Sequence, residues 1–169
     1  LAPARLDDAA RGLADAAPAP HRMSPVRAGE LLVIDDAYNA SPRSMAAALS
    51  ACAELARGRG GRVVSRLGDM LELGTREVAL HREVGREVVQ VGAHALVACG
   101  ERMTEAGRAA LEAASAGTGP RPKIVFVRDV EAAAGCVREL AGPRDVVLVK
   151  GSRGMRMGRG VAALEGEGA

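Results

Sequence analysis

LLVIDDAYNASP, residues 31–42, decides the fold of this chain. The apolar run at 31–34 predicts a buried strand, and the Ala-rich segment that starts at Pro42 predicts a helix. Ser41 is a good N-cap, and Pro42 suits the first helical position, where its missing N–H costs nothing. Carboxylates, an aromatic ring and an amide therefore gather where a strand ends and a helix begins. In open α/β sheets ligands bind in that crevice, and a helix N-terminus favours anionic groups such as phosphate.

The same alternation of strand and helix continues along the rest of the chain. Apolar runs predict strands at 31–34, 63–67, 95–99, 124–127 and 146–149, and the segments between and after them predict helices at 42–56, 75–91, 103–114, 130–140 and 157–164. Short, continuous apolar strands are typical of a mostly parallel sheet with helices on both faces. Right-handed crossovers then give a doubly wound α/β fold. The loops that follow the strands all lie at one edge of this sheet, which we expect to be the functional face.

The first thirty residues differ from this pattern. Residues 6–16 predict a short helix, and PAPHRMSP at 18–25 predicts a proline-punctuated connector. Because the strand and helix alternation begins only after Gly29, we divide the chain into segments 1–28 and 29–169. The first residue is Leu and not Met, which indicates a fragment of a longer protein.

Composition excludes several classes of protein. The chain has 169 residues, one Phe, one Tyr and no Trp, so we expect one domain with an aliphatic core. A net charge of +2 gives no broad basic field for nucleic acid. Three widely spaced cysteines without a CxxC pair predict free buried thiols in a reducing compartment. With no signal peptide and no long apolar span, we expect a cytoplasmic protein.

The first strand-to-helix loop carries Asp36, Tyr38 and Asn39. A carboxylate accepts hydrogen bonds from ribose hydroxyls, and an amide both donates and accepts, so this loop predicts nucleotide binding. The alternative is a polar turn in which Asp35 or Asp36 accepts backbone N–H groups. We expect Asp35 to be the structural carboxylate, because it directly continues the strand. The residues alone leave both interpretations open.

Two further loops follow strands at the same predicted edge. In GDMLELG at 68–74, Asp69 and Glu72 are candidates to face a substrate amine, and His81 in the next helix is a weaker candidate. In KGSRG at 150–154, Lys150, Ser152 and Arg153 are candidates to bind a carboxylate or a phosphate. The alternatives are a capped loop for the first segment, packing for His81, and solvated charges for the second segment. Arg156 and Arg159 are expected to be solvated only.

The chain lacks two common phosphate-binding motifs. Neither GxxxxGK[ST] nor GxGxxG after a first strand occurs. The predicted edge therefore suits a nucleotide but has no phosphate loop of its own. This combination is what we expect of one half of an active site. No residue is assigned a catalytic or metal-binding role.

Together these motifs resemble the Mur ligase family, the ATP-dependent amide-forming enzymes of peptidoglycan precursor synthesis. Residues 35–42 are similar to the DDSYNANP signature of the branch that adds D-alanyl-D-alanine to UDP-N-acetylmuramoyl-tripeptide. Residues 68–74 resemble its GDMxELG loop, 81–85 its HxxVG and 149–153 its VKGSR, in the same order. Ala37 and Ser41 replace the Ser and Asn of the signature, which are small-for-small changes.

The resemblance implies a role for each part. Residues 29–169 would be the C-terminal domain, a Rossmann-like unit, and residues 1–28 the end of the central ATPase domain with its connector, whose arginine, Arg22, approaches the nucleotide. ATP and Mg²⁺ would be bound mainly by the central domain. Asp36, Asn39 and Tyr38 would contact the ribose and adenine side of the nucleotide, while Lys150, Ser152 and Arg153 would hold the dipeptide carboxylate.

The implied chemistry needs the other domains of the enzyme. ATP would phosphorylate the peptide carboxylate, and the amine of D-Ala-D-Ala would attack the acyl phosphate. We therefore expect this chain alone to be inactive, with its own central and N-terminal domains as partners. We also expect Asp36→Ala to depress ligation while thermal stability stays nearly unchanged.

Two other hypotheses remain open from the sequence. One is another branch of the family, such as a folylpolyglutamate-type ligase, although such branches tend to carry His where Asn39 stands. The other is a stand-alone, flavodoxin-like module that binds an anionic ligand at the same edge without chemistry.

Overall fold

A six-stranded sheet forms the centre of the molecule. The computed structural model describes residues 19–117, 120–130 and 132–165. Its strands are β1 (Ser24–Ala28), β2 (Leu31–Asp36), β3 (Val63–Gly68), β4 (Ala95–Cys99), β5 (Lys123–Val127) and β6 (Val146–Lys150). The order across the sheet is β1-β2-β6-β3-β4-β5, and only the β1–β2 pair is antiparallel. The five predicted strands and the mostly parallel α/β sheet are confirmed.

Helices cover both faces of this sheet. Within the described ranges they are α1 (Pro42–Gly58), α2 (Glu77–Gln90), α3 (Met103–Ala116), α4 (Ala133–Leu140) and α5 (Gly158–Glu165). Side chains of α1, α2 and α3 pack in one core cluster, and those of α4 and α5 pack in another. The predicted helix at 6–16 lies outside the described residues. Among the helices that are described, none is long and apolar enough to cross a membrane.

The core is aliphatic, as the composition predicts. Every residue of β3, β4 and β6 is buried, which is the burial expected for strands that lie between two helical layers. Small residues let the helices approach closely. At Gly85 in α2, an added Cβ would lie 2.0 Å from the Ala106 carbonyl oxygen in α3.

The start of α1 follows the predicted capping pattern. Ser41 is the N-cap: its side chain accepts the Ser44 N–H, and the Ser44 Oγ accepts the Ser41 N–H. Pro42 occupies the first turn, where no intrahelical donor is needed. The reciprocal cap fixes where the β2–α1 loop ends, and so fixes the backbone that carries Asp36, Tyr38 and Asn39.

One strand was not predicted. Residues 24–28, which the proline pattern places in the connector, form β1 and pair with β2 from Ser24 opposite Asp35 to Ala28 opposite Leu31. Pro25 is tolerated because β1 is an edge strand, where a missing N–H leaves no ladder bond unmade. Gly29, with φ +59°, makes the tight turn between the two strands. The domain boundary between residues 28 and 29 stays a prediction.

Candidate functional site

The sheet register brings the candidate loops together. Asp36 at the end of β2 lies opposite Lys150 at the end of β6, and Lys150 in turn lies opposite Leu67 of β3. The loops after β2, β3 and β6 therefore leave adjacent strands at one edge. Tyr38 lies where they meet, and it lines each of three neighbouring cavities.

Lys150 forms an internal ion pair with Asp36. Its Nζ lies 2.5 Å from Asp36 Oδ2 and donates to the Asn39 carbonyl oxygen at 2.9 Å. The Lys150 side chain is only 3 % exposed, and that of Asp36 is 13 % exposed. Removing the carboxylate would leave a buried ammonium without its counter-charge, which is strongly destabilising. We therefore revise the expectation that Asp36→Ala leaves thermal stability nearly unchanged.

The segment before β1 is tied to the same loop. Asp35 is buried, accepts the Ala37 N–H at 3.1 Å and contacts His21 Nδ1 at 2.7 Å. The Met23 N–H donates to Asp36 Oδ1 at 3.1 Å, and the Tyr38 N–H donates to the His21 carbonyl at 3.0 Å. Asp35 is thus the structural carboxylate, as expected, and Asp36 also accepts a backbone N–H.

Tyr38 is flanked by two arginines. The Arg22 guanidinium carbon lies 3.9 Å from the centre of the Tyr38 ring, and that of Arg153 lies 5.9 Å from it. Both distances are within the range of cation–π attraction. The ring remains 39 % exposed, so it can still contact a ligand.

The first cavity, here the Asp36 cavity, has a volume of about 410 Å³. Arg22, Asp36, Tyr38 and Asn39, the four predicted nucleotide-binding residues, all line it, together with Lys150 and the start of α1. Asn39 is exposed and uses its Oδ1 to accept the Ala40 N–H at 2.8 Å. The structure thus brings the four residues together, while their role toward a nucleotide stays a prediction.

The second cavity, here the Glu72 cavity, has a volume of about 250 Å³. It combines an acidic and a basic side chain, Glu72 and Arg153, with Ser152, Tyr38 and Asn39. Glu72 is exposed and has a φ of +64°, a conformation that is uncommon for residues other than glycine. An ammonium and a carboxylate on one small ligand would suit these two side chains.

Two other predicted site residues are committed to internal hydrogen bonds. Asp69 is buried, and its Oδ1 accepts the Met103 N–H at the start of α3 at 2.7 Å. His81 is buried, with Nε2 accepting the Met70 N–H at 3.0 Å and Nδ1 2.7 Å from the Glu77 carbonyl. Because Nε2 accepts a hydrogen bond, Nδ1 is the ring nitrogen that donates to the Glu77 carbonyl. Asp69 and His81 line none of the three cavities, so their proposed contact with substrate is not supported.

Ser152 both makes internal hydrogen bonds and lines a cavity. Its buried Oγ accepts the Leu71 N–H at 2.8 Å, and its N–H donates to the Asp69 carbonyl at 3.0 Å. These two bonds tie the 150–154 loop to the 68–74 loop. Ser152 still lines the Glu72 cavity, so its hydroxyl proton remains available to a ligand there.

The third cavity, here the connector cavity, includes residues that we expected only to be solvated. It has a volume of about 670 Å³ and lies between the segment before β1, Tyr38 and the start of α5. Arg156 and Arg159 line it together with Arg22 and Arg153. The sequence spacing of these arginines could not predict that they share a cavity, because the cavity forms only where residues 19–23 lie against the sheet edge.

Among the residues that the structure describes, no cluster of His, Cys, Asp or Glu has a composition that could hold a metal ion. The aspartates of the edge are instead paired individually with N–H groups or cations. The donor set of this edge therefore does not fit a divalent cation, and no step of the chemistry is assigned to one here.

Comparisons with known proteins match the chain to one family. A family model described as "Mur ligase, glutamate ligase domain" matches residues 21–153. The UDP-N-acetylmuramoyl-tripeptide–D-alanyl-D-alanine ligase of Mycobacterium leprae (strain TN) is 36% identical over 162 residues, which is 88% of this chain and 31% of that protein. The ligase of the same name from Escherichia coli (strain K12) is 35% identical over 168 residues, 98% of this chain and 34% of that protein.

Solved structures show the same similarity. A crystal structure of MurF from Acinetobacter baumannii matches 96% of this chain and 34% of its own with a TM-score of 0.78 and 28% identity. The MurF ligase from Thermotoga maritima in complex with ADP matches 92% of this chain and 33% of its own, with a TM-score of 0.72 and 25% identity. The chain thus spans about a third of the length of the relatives it matches.

Proposed function

Because the chain belongs to the Mur ligase family, we propose that it is the C-terminal domain of a cytoplasmic, ATP-dependent ligase that adds D-alanyl-D-alanine to UDP-N-acetylmuramoyl-tripeptide. Two relatives named for this activity match nearly the whole chain at 35–36% identity. In this proposal residues 29–169 are the C-terminal domain, and residues 1–28 join it to a central ATPase domain.

The observation that carries the proposal is the composition of the Glu72 cavity. D-Ala-D-Ala is a zwitterion with one ammonium and one carboxylate. Glu72 and Arg153 line the same cavity of about 250 Å³, and opposite charges on one wall select a ligand with both groups. In this assignment Arg153 holds the carboxylate and Glu72 the ammonium. The Ser152 hydroxyl would donate to the carboxylate as well.

The neighbouring Asp36 cavity suits the nucleotide. Tyr38 offers its partly exposed ring, Asp36 can accept hydrogen bonds from ribose hydroxyls, and the exposed Asn39 offers its side-chain amide. Arg22 lies over the Tyr38 ring and supplies a cation next to the phosphates. A solved relative of the same fold was crystallised with ADP. We assign the phosphate loop and any Mg²⁺ to the rest of the protein.

The two cavities suggest how this domain would serve the reaction. The tripeptide carboxylate attacks the γ-phosphorus of ATP, which forms an acyl phosphate and releases ADP. The dipeptide ammonium gives up a proton to solvent, and the free amine then attacks the acyl carbon. The bond from that carbon to the phosphate oxygen breaks, and the second proton of the nitrogen leaves with the phosphate as the amide forms. Tyr38 and Asn39 border both cavities, so this domain would hold the nucleotide and the amine beside each other. Holding reactants in this way supplies much of the rate enhancement in such reactions.

Reconstitution of the reaction tests the proposal. The full-length protein of the parent gene is incubated with ATP, UDP-N-acetylmuramoyl-tripeptide and D-Ala-D-Ala, and phosphate release and product mass are measured. We expect release that requires both substrates, and none from residues 1–169 alone. Ligation of glutamate in place of the dipeptide would favour a folylpolyglutamate-type ligase. Ligand binding without any ATP-dependent product would favour a binding module.

Variants then test the assignment of the dipeptide. Glu72→Gln and Arg153→Met should each raise the KM for D-Ala-D-Ala by about tenfold or more while the KM for ATP changes little, because each removes one charged partner of the zwitterion. Glu54→Gln is the matched control, since Glu54 is exposed on α1 away from the edge. Equal effects on both KM values would contradict the assignment.

A further inference from the structure

We propose that Lys150 is a positioning residue of the Asp36 cavity, which holds the Asp36 carboxylate and the Asn39 carbonyl in place and does not bind the dipeptide. The inference rests on the proposed function for the identity of the ligands. It replaces the expectation from the sequence, in which Lys150 contacts the dipeptide carboxylate.

The position of Lys150 in the sheet and the burial of its side chain are the first evidence for this role. Lys150 is the last residue of a central strand, between Asp36 on one side and Leu67 on the other. Its side chain is 3 % exposed, whereas Arg153, three residues further on, is exposed. A lysine ammonium is strongly hydrated, and its burial is tolerated only where it is paired. The pairing is therefore the reason that Lys150 can occupy this position.

The ammonium has three donors, and two of them are used inside the protein. One contacts Asp36 Oδ2 at 2.5 Å and one the Asn39 carbonyl at 2.9 Å. The same carboxylate accepts the Met23 N–H through its other oxygen at 3.1 Å. Asp36 is thus held at both oxygens, and the backbone that carries the Asn39 amide is held as well.

Charge balance gives a second role to the pair. An isolated Asp36 carboxylate would repel the phosphates of a nucleotide in the same cavity. The Lys150 ammonium compensates the negative charge of the Asp36 carboxylate, whose remaining lone pairs can still accept hydrogen bonds from ligand hydroxyls. Arg153, in contrast, has no carboxylate partner among the described residues, and its contact is with the Tyr38 ring. The two cations of the 150–154 loop are therefore assigned different tasks.

The test measures ATP binding and dipeptide KM in the full-length protein. Lys150→Met removes the ammonium and keeps a chain of similar length. We expect ATP to bind on the order of tenfold or more weakly, because the carboxylate is no longer held, and the KM for D-Ala-D-Ala to stay within about twofold. Lys123→Met is the matched control: Lys123, the only other lysine, is exposed at the start of β5 and should leave both values unchanged.

A double-mutant cycle separates positioning from general loss of structure. If Lys150 acts through Asp36, Lys150→Met should weaken ATP binding in the native background but add little to Asp36→Asn. Full additivity of the two changes would overturn the proposal, as would an increase in the KM for the dipeptide with ATP binding unaffected. A protein that binds ATP but ligates nothing would contradict the proposed function, and the cycle on ATP binding would still decide the role of Lys150.

Discussion

The two ends of β6 each carry an ion pair to a neighbouring strand, but the pairs differ in what surrounds them. Before the strand, Asp145 accepts four hydrogen bonds, three from Arg62 and one from the Gly142 N–H. At the other end of β6, Asp36 of β2 accepts two hydrogen bonds from the residues that the structure describes, one from Lys150 and one from Met23. The cavity beside Asp145 has no aromatic side chain, whereas the cavity beside Asp36 includes Tyr38.

We propose that this difference separates a structural pair from one that serves a ligand. At Asp145 the protein itself supplies donors to both carboxylate oxygens, so little capacity remains for another molecule. At Asp36 each oxygen has one protein donor, and the cavity that the carboxylate lines also includes the Tyr38 ring. In this proposal, a similar kind of interaction stabilises the fold at one end of β6 and positions a ligand-binding carboxylate at the other.

The largest expected effect on stability comes from removing one partner of the buried pair. Asp36→Ala should lower the free energy of unfolding by about 3 kcal/mol or more, because it leaves the Lys150 ammonium buried and uncompensated. Urea denaturation measures this change. The double variant Asp36→Ala with Lys150→Met should be less destabilised than the sum of the single variants, and simple additivity would show that the two groups do not interact.

Asp145→Asn should have the next largest effect on stability, about 2 kcal/mol, and should leave ligation unchanged. Burial alone would raise the pKa of Asp145, but hydrogen bonds from the Arg62 side chain and the Gly142 and Arg62 N–H groups lower it below its usual 3.8. Because the pKa of this carboxyl is lower in the folded protein than in the unfolded chain, the ionised carboxylate stabilises the folded protein at pH values above the unfolded pKa. This stabilisation is lost as the pH falls through the folded pKa.

The pH dependence therefore tests the Asp145 pair. The difference in unfolding free energy between the native protein and Asp145→Asn should be constant above about pH 5 and should shrink as the pH falls below about 4. Chemical denaturation at several pH values measures it. A difference that does not change with pH would contradict the assignment of the stabilisation to the ionised carboxylate.

The sequence predicts the parallel strands and the edge at which the loops meet. Continuous apolar runs such as 95–99 and 146–149 are typical of strands buried between two layers, and Ser41–Pro42 predicts where α1 starts. The ends of the other helices are less well predicted. The predicted helix at 75–91 begins at Glu77, because Gly74–Arg76 forms a 3₁₀ turn first.

The pairings within the edge are beyond what the sequence predicts. Lys150 and Asp36 are 114 positions apart and meet only because β6 inserts between β2 and β3. No periodicity specifies that insertion. Asp69 and His81 were singled out as polar residues near a loop, but their partners are backbone N–H groups of Met103 and Met70. Such partners depend on the path of the chain and leave no pattern in the sequence.

A glycine beside the Asp145 pair gives a similar expected effect. A Cβ at Gly61 would lie 2.0 Å from the Arg144 carbonyl oxygen, so Gly61→Ala should destabilise the protein by roughly 1–3 kcal/mol through a backbone shift. Thermal denaturation measures the effect. Gly58→Ala is the matched control, because nothing lies within 4 Å of its added Cβ and it should be neutral or slightly stabilising. Equal effects at the two positions would refute the close approach.

The smallest expected effect on stability is at Tyr38. Tyr38→Leu should lower the free energy of unfolding by less than about 1 kcal/mol, since it removes a half-exposed ring and its contact with Arg22. Binding of ATP by the full-length protein, measured by calorimetry, should nevertheless weaken several-fold. A stable variant with unaltered ATP affinity would remove Tyr38 from the ligand site.

The most direct test of the account compares ligation by full-length Asp36→Asn and Asp145→Asn at a temperature where both variants are folded. Asp36→Asn should reduce the rate of D-Ala-D-Ala ligation at subsaturating ATP by roughly 10- to 100-fold, while Asp145→Asn keeps the native rate. This result would show that one end of β6 serves the ligand and the other only the fold. Native rates in both variants, or losses that follow their stabilities alone, would contradict the account.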